Sequence, residues 1–213
     1  MHAFPSFLRC SAEPLLQVDS KINTIRLDLV DTLPCFETLL DLYHRRIYNL
    51  VFRLIGNADE AADLTQETFI RAYEAYSRFR GTSEAVYPWL CRIAVNNCKN
   101  KFREQSRRRQ FEPVSLDSSP GSDADGSCFE IGDETLNPAN VLERKELDEK
   151  VQEAISALPP DYRTVLVLRD MQGLTYKEIA DATGLSLDNV KVRLFRGRGV
   201  VRRKLSAYIV TRF

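Results

Sequence analysis

The chain is nearly empty of histidine: His2 and His44 are its only two in 213 residues. That excludes histidine-built metal centres and Ser-His-Asp nucleophilic sites. The five cysteines, Cys10, Cys35, Cys91, Cys98 and Cys128, are scattered with no CxxC spacing. Reduced thiols are therefore expected, with no metal centre. No phosphate-cradling glycine loop is present, so no catalytic residue and no cofactor is predicted, and the chain reads as something other than an enzyme. No apolar run approaches the roughly eighteen residues of a membrane span. The first residues lack a basic segment followed by a continuous apolar one, so no secretory leader is expected and the cytoplasm is the expected compartment. No long strand-like alternation is present either, and the fold class predicted is all-α.

Net charge is also missing, because thirty Lys and Arg balance thirty Asp and Glu. The distribution is far from even. Arg92 to Arg109 holds seven basic residues and one acidic, and Lys191 to Phe213 holds eight basic and none acidic. Glu112 to Glu153 holds twelve acidic and three basic. Two basic segments separated by an acidic one indicate a polyanionic partner despite the neutral sum.

The second basic segment belongs to a helix-turn-helix pattern. Thr175 and Glu178 have capping-box spacing at the start of a helix. Gly184 stands where the turn can use a positive φ. Ala180 is small where two helices cross, and Leu187, Val190 and Leu194 recur at helical spacing as a predicted core face. The opposite side then carries Asn189, Val192, Arg193 and Arg196, with Lys191 on its flank. Such a helix suits the major groove of duplex DNA.

Four segments follow from composition and periodicity. Residues 1–34 form an extension broken by Pro5, Pro14 and Pro34, with a short helix or strand near Lys21 to Val30. Residues 35–109 read as three helices. The first carries the stripe Phe36, Leu39, Tyr43, Ile47, Leu50 and Leu54, and the second buries Ala62, Phe69, Ala72, Tyr76 and Phe79. The third begins near Tyr87-Pro88, proline being tolerated in a first turn. Residues 110–140, rich in Ser, Asp, Gly and Pro, read as a flexible acidic linker. Residues 141–213 resume as helices, with Leu147, Val151, Ala154 and Leu158 on one face and Asp161 as the cap of the next. The architecture expected is two small helical domains joined by a linker.

Two stripes in the first domain carry opposite charge. On the second helix Asp63, Gln66, Glu67, Ile70 and Glu74 share one face. That is either a solvated surface or a docking face for a basic helix, with Ile70 as its apolar anchor. On the third helix Arg92, Asn96, Lys99 and Arg103 share a face beside Trp89. Its cations suit phosphates, and Asn96 suits a base edge or an extruded base. Trp89 reads first as core packing.

Asp63 to Tyr73, Phe79-Arg-Gly and Trp89 to Asn97 resemble the second conserved region of extracytoplasmic-function (ECF) sigma factors. Leu158-Pro, Gly173 to Ala180 and Val190 to Arg196 resemble their fourth region. The run Tyr-x-Trp-Leu-x-Arg-Ile-Ala-Val-Asn resembles the RpoE-like group within the sigma-70 family. The resemblance implies a dissociable initiation subunit of RNA polymerase. Asp63, Gln66 and Glu67 would dock on the clamp coiled coil of the largest subunit, and the fourth domain would lie at the flap region. Asn96, with Arg80, Arg92 and Lys99, would recognise and melt the promoter −10 element. Lys191, Val192 and Arg196 would read the −35 element. An anti-sigma protein is a further implied partner, and the acidic linker would thread the polymerase near the RNA exit path. Asp188-Asn189 stands where that family usually has a small residue and Gly, and Gly197 and Gly199 stand in a helix usually richer in Ala. The alternative is a stand-alone helix-turn-helix regulator, which would need a sensory or dimerising domain that residues 36–107 do not resemble.

Overall fold

A computed structural model describes residues 33–111 and 138–212, and side chains within 33–108 and 145–206. The expectations for residues 1–32 and for most of the linker lie outside the described residues. The described elements are α1 (Phe36–Ile55), α2 (Ala58–Tyr76), α3 (Ser83–Phe111), α4 (Pro138–Ser156), α5 (Pro160–Leu166), a π-helical turn (Val167–Met171), α6 (Tyr176–Thr183) and α7 (Leu187–Arg212). No strand occurs among the described residues, and no described helix is long and apolar enough to cross a membrane.

Local chemistry sets the helix ends. Gly56 ends α1 at φ 82°, and its N–H donates to the Phe52 carbonyl at 2.8 Å. The next residue, Asn57, starts α2 by accepting from the Glu60 N–H at 2.9 Å. Two residues thus fold α1 back on α2. At α6 the predicted capping box is present, with Thr175 and Glu178 exchanging both bonds. Gly184 ends α6 in the left-handed region at φ 74°.

Helices α1, α2 and α3 pack around Leu39, Ile47, Leu50, Leu54, Val86, Leu90 and Val95. Of the expected buried side of α2, Phe69 and Ala72 are buried and Tyr76 is half-buried, and the buried side is wider than expected. Ala61, Leu64, Thr65 and Thr68 are buried, while Ala62 is half-buried. The threonines can enter the core because their hydroxyls donate to the Ala61 and Leu64 carbonyls one turn back, both at 2.6 Å. Helix α3 starts a turn earlier than Tyr87-Pro88, so Pro88 lies inside it. Proline removes the bond to the Glu84 carbonyl. Glu84 is exposed there, and water can replace the missing donor.

The second half assembles on α7. Val190 and Leu194 are buried as expected, but Leu187 is exposed, and Gly197 continues the buried face instead. A Cβ at Gly197 would lie 3.5 Å from Leu166 Cδ1 and 3.7 Å from the Tyr162 carbonyl oxygen, in ordinary contact with α5. Of the expected face Leu147, Val151, Ala154 and Leu158, the last two are buried, Val151 is half-buried and Leu147 is exposed, while Asp148 and Gln152 on α4 bind Arg53 of α1. Asp161 is not a cap. Pro159 occupies that position without a side-chain bond, and the Asp161 carboxylate pairs with Arg193 at 3.1 Å.

Cys91 and Cys98 are buried free thiols on α3, and burial pushes both up to about 12. Both therefore stay protonated and unreactive at neutral pH.

Gly199 tests the reading of α7. A Cβ there meets nothing within 4 Å. Gly199→Ala is expected to stabilise the chain by about 0.5–1 kcal/mol through helix propensity alone. A rise in thermal midpoint, followed by circular dichroism, is the result to look for.

Candidate nucleic-acid interface

The acidic stripe of α2 lies at the surface. Asp63, Gln66 and Glu74 are exposed, Glu67 is half-buried, and Ile70 is 60% exposed. Arg71 binds Glu67 at 2.5 Å, so one of the stripe's charges is already answered from within the helix. Tyr73, at 65% exposure, lies three residues beyond Ile70 and leans its ring edge-on against Phe36 at 5.1 Å. Sequence reading missed Tyr73 because an aromatic at helical spacing is assigned to a core by default. Beside this face, Lys101 on α3 reaches Glu60 on α2 at 3.0 Å. The neighbouring Asn97 is buried, donates to the Thr68 hydroxyl at 3.1 Å, and leaves its Oδ1 without a partner.

The basic stripe of α3 divides. Arg92, Asn96 and Arg103 are exposed, whereas Lys99 is half-buried and donates to the Thr183 carbonyl at the end of α6 at 2.7 Å. Burial is the main cause that holds the Lys99 ammonium below the usual lysine range; nearby Asp161 opposes the shift, and Arg103 and Arg193 add to it. Arg80 is exposed and folds over its own loop, donating to the Ser77 carbonyl at 2.9 Å and the Phe79 carbonyl at 3.2 Å. Trp89 packs on Phe79 at 4.9 Å and on Tyr76 at 6.3 Å between ring centres. This aromatic group anchors the α2–α3 loop. A Cβ at Gly81 would come within 2.4 Å of the Phe79 ring, so the loop needs glycine there for steric reasons.

On α7, Asn189, Lys191, Val192 and Arg196 are exposed, while Arg193 is half-buried against Asp161. The Ser186 hydroxyl accepts from the Asn189 N–H at 3.3 Å, so Asp188-Asn189 enters the helix with its first turn satisfied. Phe195 is 81% exposed, three residues beyond Val192 on the same outward side. Its sequence signal was phase: it falls outside the Val190, Leu194 core spacing.

The two halves of the fold touch. Arg53 on α1 is buried and binds Asp148 and Gln152 on α4. Arg163 on α5 donates to the Leu54 carbonyl of α1 at 2.5 Å, and to the Ser156 and Leu158 carbonyls at 2.6 and 3.1 Å. Tyr87 on α3 donates to Gln172, and Lys99 to Thr183. The stripe expected to meet DNA thus runs along the junction between the halves.

The comparisons with known proteins agree with this construction. The family model for sigma-70 region 2 matches residues 39–108, and that for sigma-70 region 4 matches residues 148–199. The RNA polymerase sigma-H factor of Pseudomonas aeruginosa is 35% identical over 80% of this chain and 86% of its own length. The ECF RNA polymerase sigma-E factor of Escherichia coli K12 is 36% identical over 82% of this chain and 88% of its own. The fold also resembles that of the sigma factor RpoE solved with the anti-sigma factor NepR from Bartonella quintana, with TM-score 0.59 and 20% identity over 80% of this chain and 96% of that one. It resembles CnrH solved with the cytosolic domain of CnrY as well, with TM-score 0.53 and 21% identity over 81% of this chain and 88% of that one. The chain belongs to the sigma-70 family and is an RNA polymerase sigma factor of the extracytoplasmic-function type. That membership decides against the stand-alone regulator.

Arg53 tests the junction. Arg53→Met removes the link to α4 and leaves Asp148, which is half-exposed, to water. The loss expected is about 1–3 kcal/mol of attachment between the halves. Small-angle scattering should show a larger radius of gyration at unchanged helical content.

Proposed function

We propose that this chain binds core RNA polymerase through α2 and selects promoters with α3 and α7. One observation carries the reading: a single chain presents an acidic face with an exposed apolar anchor, and two separate basic helix faces, inside the two matched sigma-70 regions. In this scheme Asp63, Gln66 and Glu67 meet basic residues of the polymerase clamp, and Ile70 fills a pocket between them. Charged rims set orientation and rate, and the buried anchor supplies most of the affinity.

Arg92, Lys99 and Arg103 neutralise phosphates near the −10 element, with Arg80 at the adjacent loop. Asn96 is exposed on the same face and has donor and acceptor atoms for an unstacked base. Unstacking costs a few kcal/mol per step, which contacts of this kind can offset. On α7, Asn189, Lys191, Val192, Arg193 and Arg196 read the −35 element in the major groove. Phe195 joins them, since an exposed aromatic beside Val192 suits the methyl group of thymine. No chemical step falls to this chain, whose contribution is promoter choice and strand opening. It acts in the bacterial cytoplasm, with an anti-sigma protein as a further partner that covers the same faces.

Two experiments address separate faces. Asp63→Arg with Glu67→Arg should abolish co-purification with core polymerase while circular dichroism stays unchanged; retained binding would remove the docking assignment. Phe195→Ala should lower run-off transcription from promoters selected by the reconstituted holoenzyme about tenfold, with core affinity intact, and equal transcription would take Phe195 out of the −35 surface.

A further inference from the structure

A cavity of about 260 Å³ lies at the junction between α3 and the α5–α7 helices. Three cations reach it: Lys99 and Arg103 from α3, and Arg193 from α7. One carboxylate answers them, Asp161, which binds Arg193 at 3.1 Å and is itself 64% exposed. Arg103 pairs with no carboxylate among the described residues, and Lys99 has only the Thr183 carbonyl. The cavity is therefore positively charged in excess. Its other walls are partly apolar, including Phe102 and Leu185, which lowers the local dielectric and strengthens each charge.

The hydroxyls in the wall do not supply donors. Thr164 donates to the Pro160 carbonyl at 2.8 Å and Thr183 to the Ile179 carbonyl at 2.6 Å. Recognition would thus rest on the ammonium and two guanidinium groups. Guanidinium forks match phosphoryl oxygens in pairs. The excess charge and the size of the cavity favour a ligand with more than one phosphoryl group over a lone monovalent anion.

We propose that this cavity binds a small polyphosphate anion, held by Lys99, Arg103 and Arg193, which latches the two halves of the chain together. Its effect follows from where the cations originate. Two belong to the first half and one to the second, so a bridging anion stabilises only the joined arrangement. The same ligand withdraws Lys99 and Arg103 from any phosphate outside, so it acts against DNA binding. This inference goes beyond the promoter reading and does not depend on it, because latching is measured without polymerase.

The test is calorimetric titration of the full chain with inorganic pyrophosphate, ionic strength being held constant with chloride. Small-angle scattering and the thermal midpoint are followed in parallel. Saturable one-to-one binding is expected, with a smaller radius of gyration and a raised midpoint. Lys99→Met and Arg193→Met should each weaken binding about tenfold, whereas Arg202→Met, an equal loss of charge elsewhere on α7, should change it less than about twofold. Asp161→Asn removes the competing carboxylate and should tighten binding several-fold; it keeps the test decisive if either of the first two variants unfolds. A short single-stranded oligonucleotide forms a second arm with the same phosphate chemistry. Absence of saturable binding to pyrophosphate, equal weakening by Arg202→Met, no gain from Asp161→Asn, or binding of the oligonucleotide alone would each overturn the proposal.

Discussion

The Lys99 ammonium donates to the Thr183 carbonyl, which engages one of its three N–H donors at the junction between the halves. Much of the molecule's behaviour depends on that constraint. Lys99 lies in the middle of the charged stripe of α3, so the junction and that stripe share a residue. The other ties across the junction, at Arg53, Arg163 and Tyr87, are hydrogen bonds and one ion pair with some access to solvent. Each such tie contributes on the order of 1 kcal/mol net. These ties border an apolar core shared by both halves, since Leu39 and Leu90 of the first and Leu168 and Ile179 of the second belong to one buried cluster. Burial already depresses the Lys99 ammonium, so moving it out to a phosphate also relieves a desolvation cost.

The parts of the fold legible in the sequence are those decided within a few residues. Gly56-Asn57 ends one helix and starts the next by backbone and side-chain bonds that span at most four positions. Thr175, Glu178 and Gly184 do the same for α6. The misreadings share a different cause, because each depends on a partner distant in sequence. Leu147 is exposed since the adjoining side of α4 must meet Arg53, which is 95 residues away from Asp148 in the chain. Asp161 has the spacing of a cap but finds Arg193 instead. Leu187 has the period of a core residue, yet the buried face of α7 runs through Val190, Leu194 and Gly197, where α5 lies against it. Periodicity reports that a face is apolar but not how far along a helix its neighbour extends.

The candidate site was legible to a similar depth. Charge and period placed the α2 and α3 stripes on their helices, and the family resemblance supplied roles for them. Neither indicated that Lys99 and Arg193 would be turned toward each other's half, since that is a property of the junction and not of either helix. Phe195 and Tyr73 were passed over for the opposite reason. A large apolar side chain on a helix is usually core, and only their exposure reveals that the two helices leave them outside.

The uneven exposure of the three faces implies an order of events. The α2 face, with Asp63 and Ile70, is open in the joined arrangement, while the middle of the α3 stripe is not. A partner that grips α2 needs no prior rearrangement and meets its surface at once. Of the α3 stripe only Lys99 is bonded across the junction, while Arg92, Asn96 and Arg103 are exposed. On the proposed assignment of these faces, docking at α2 would precede full use of Lys99 on DNA.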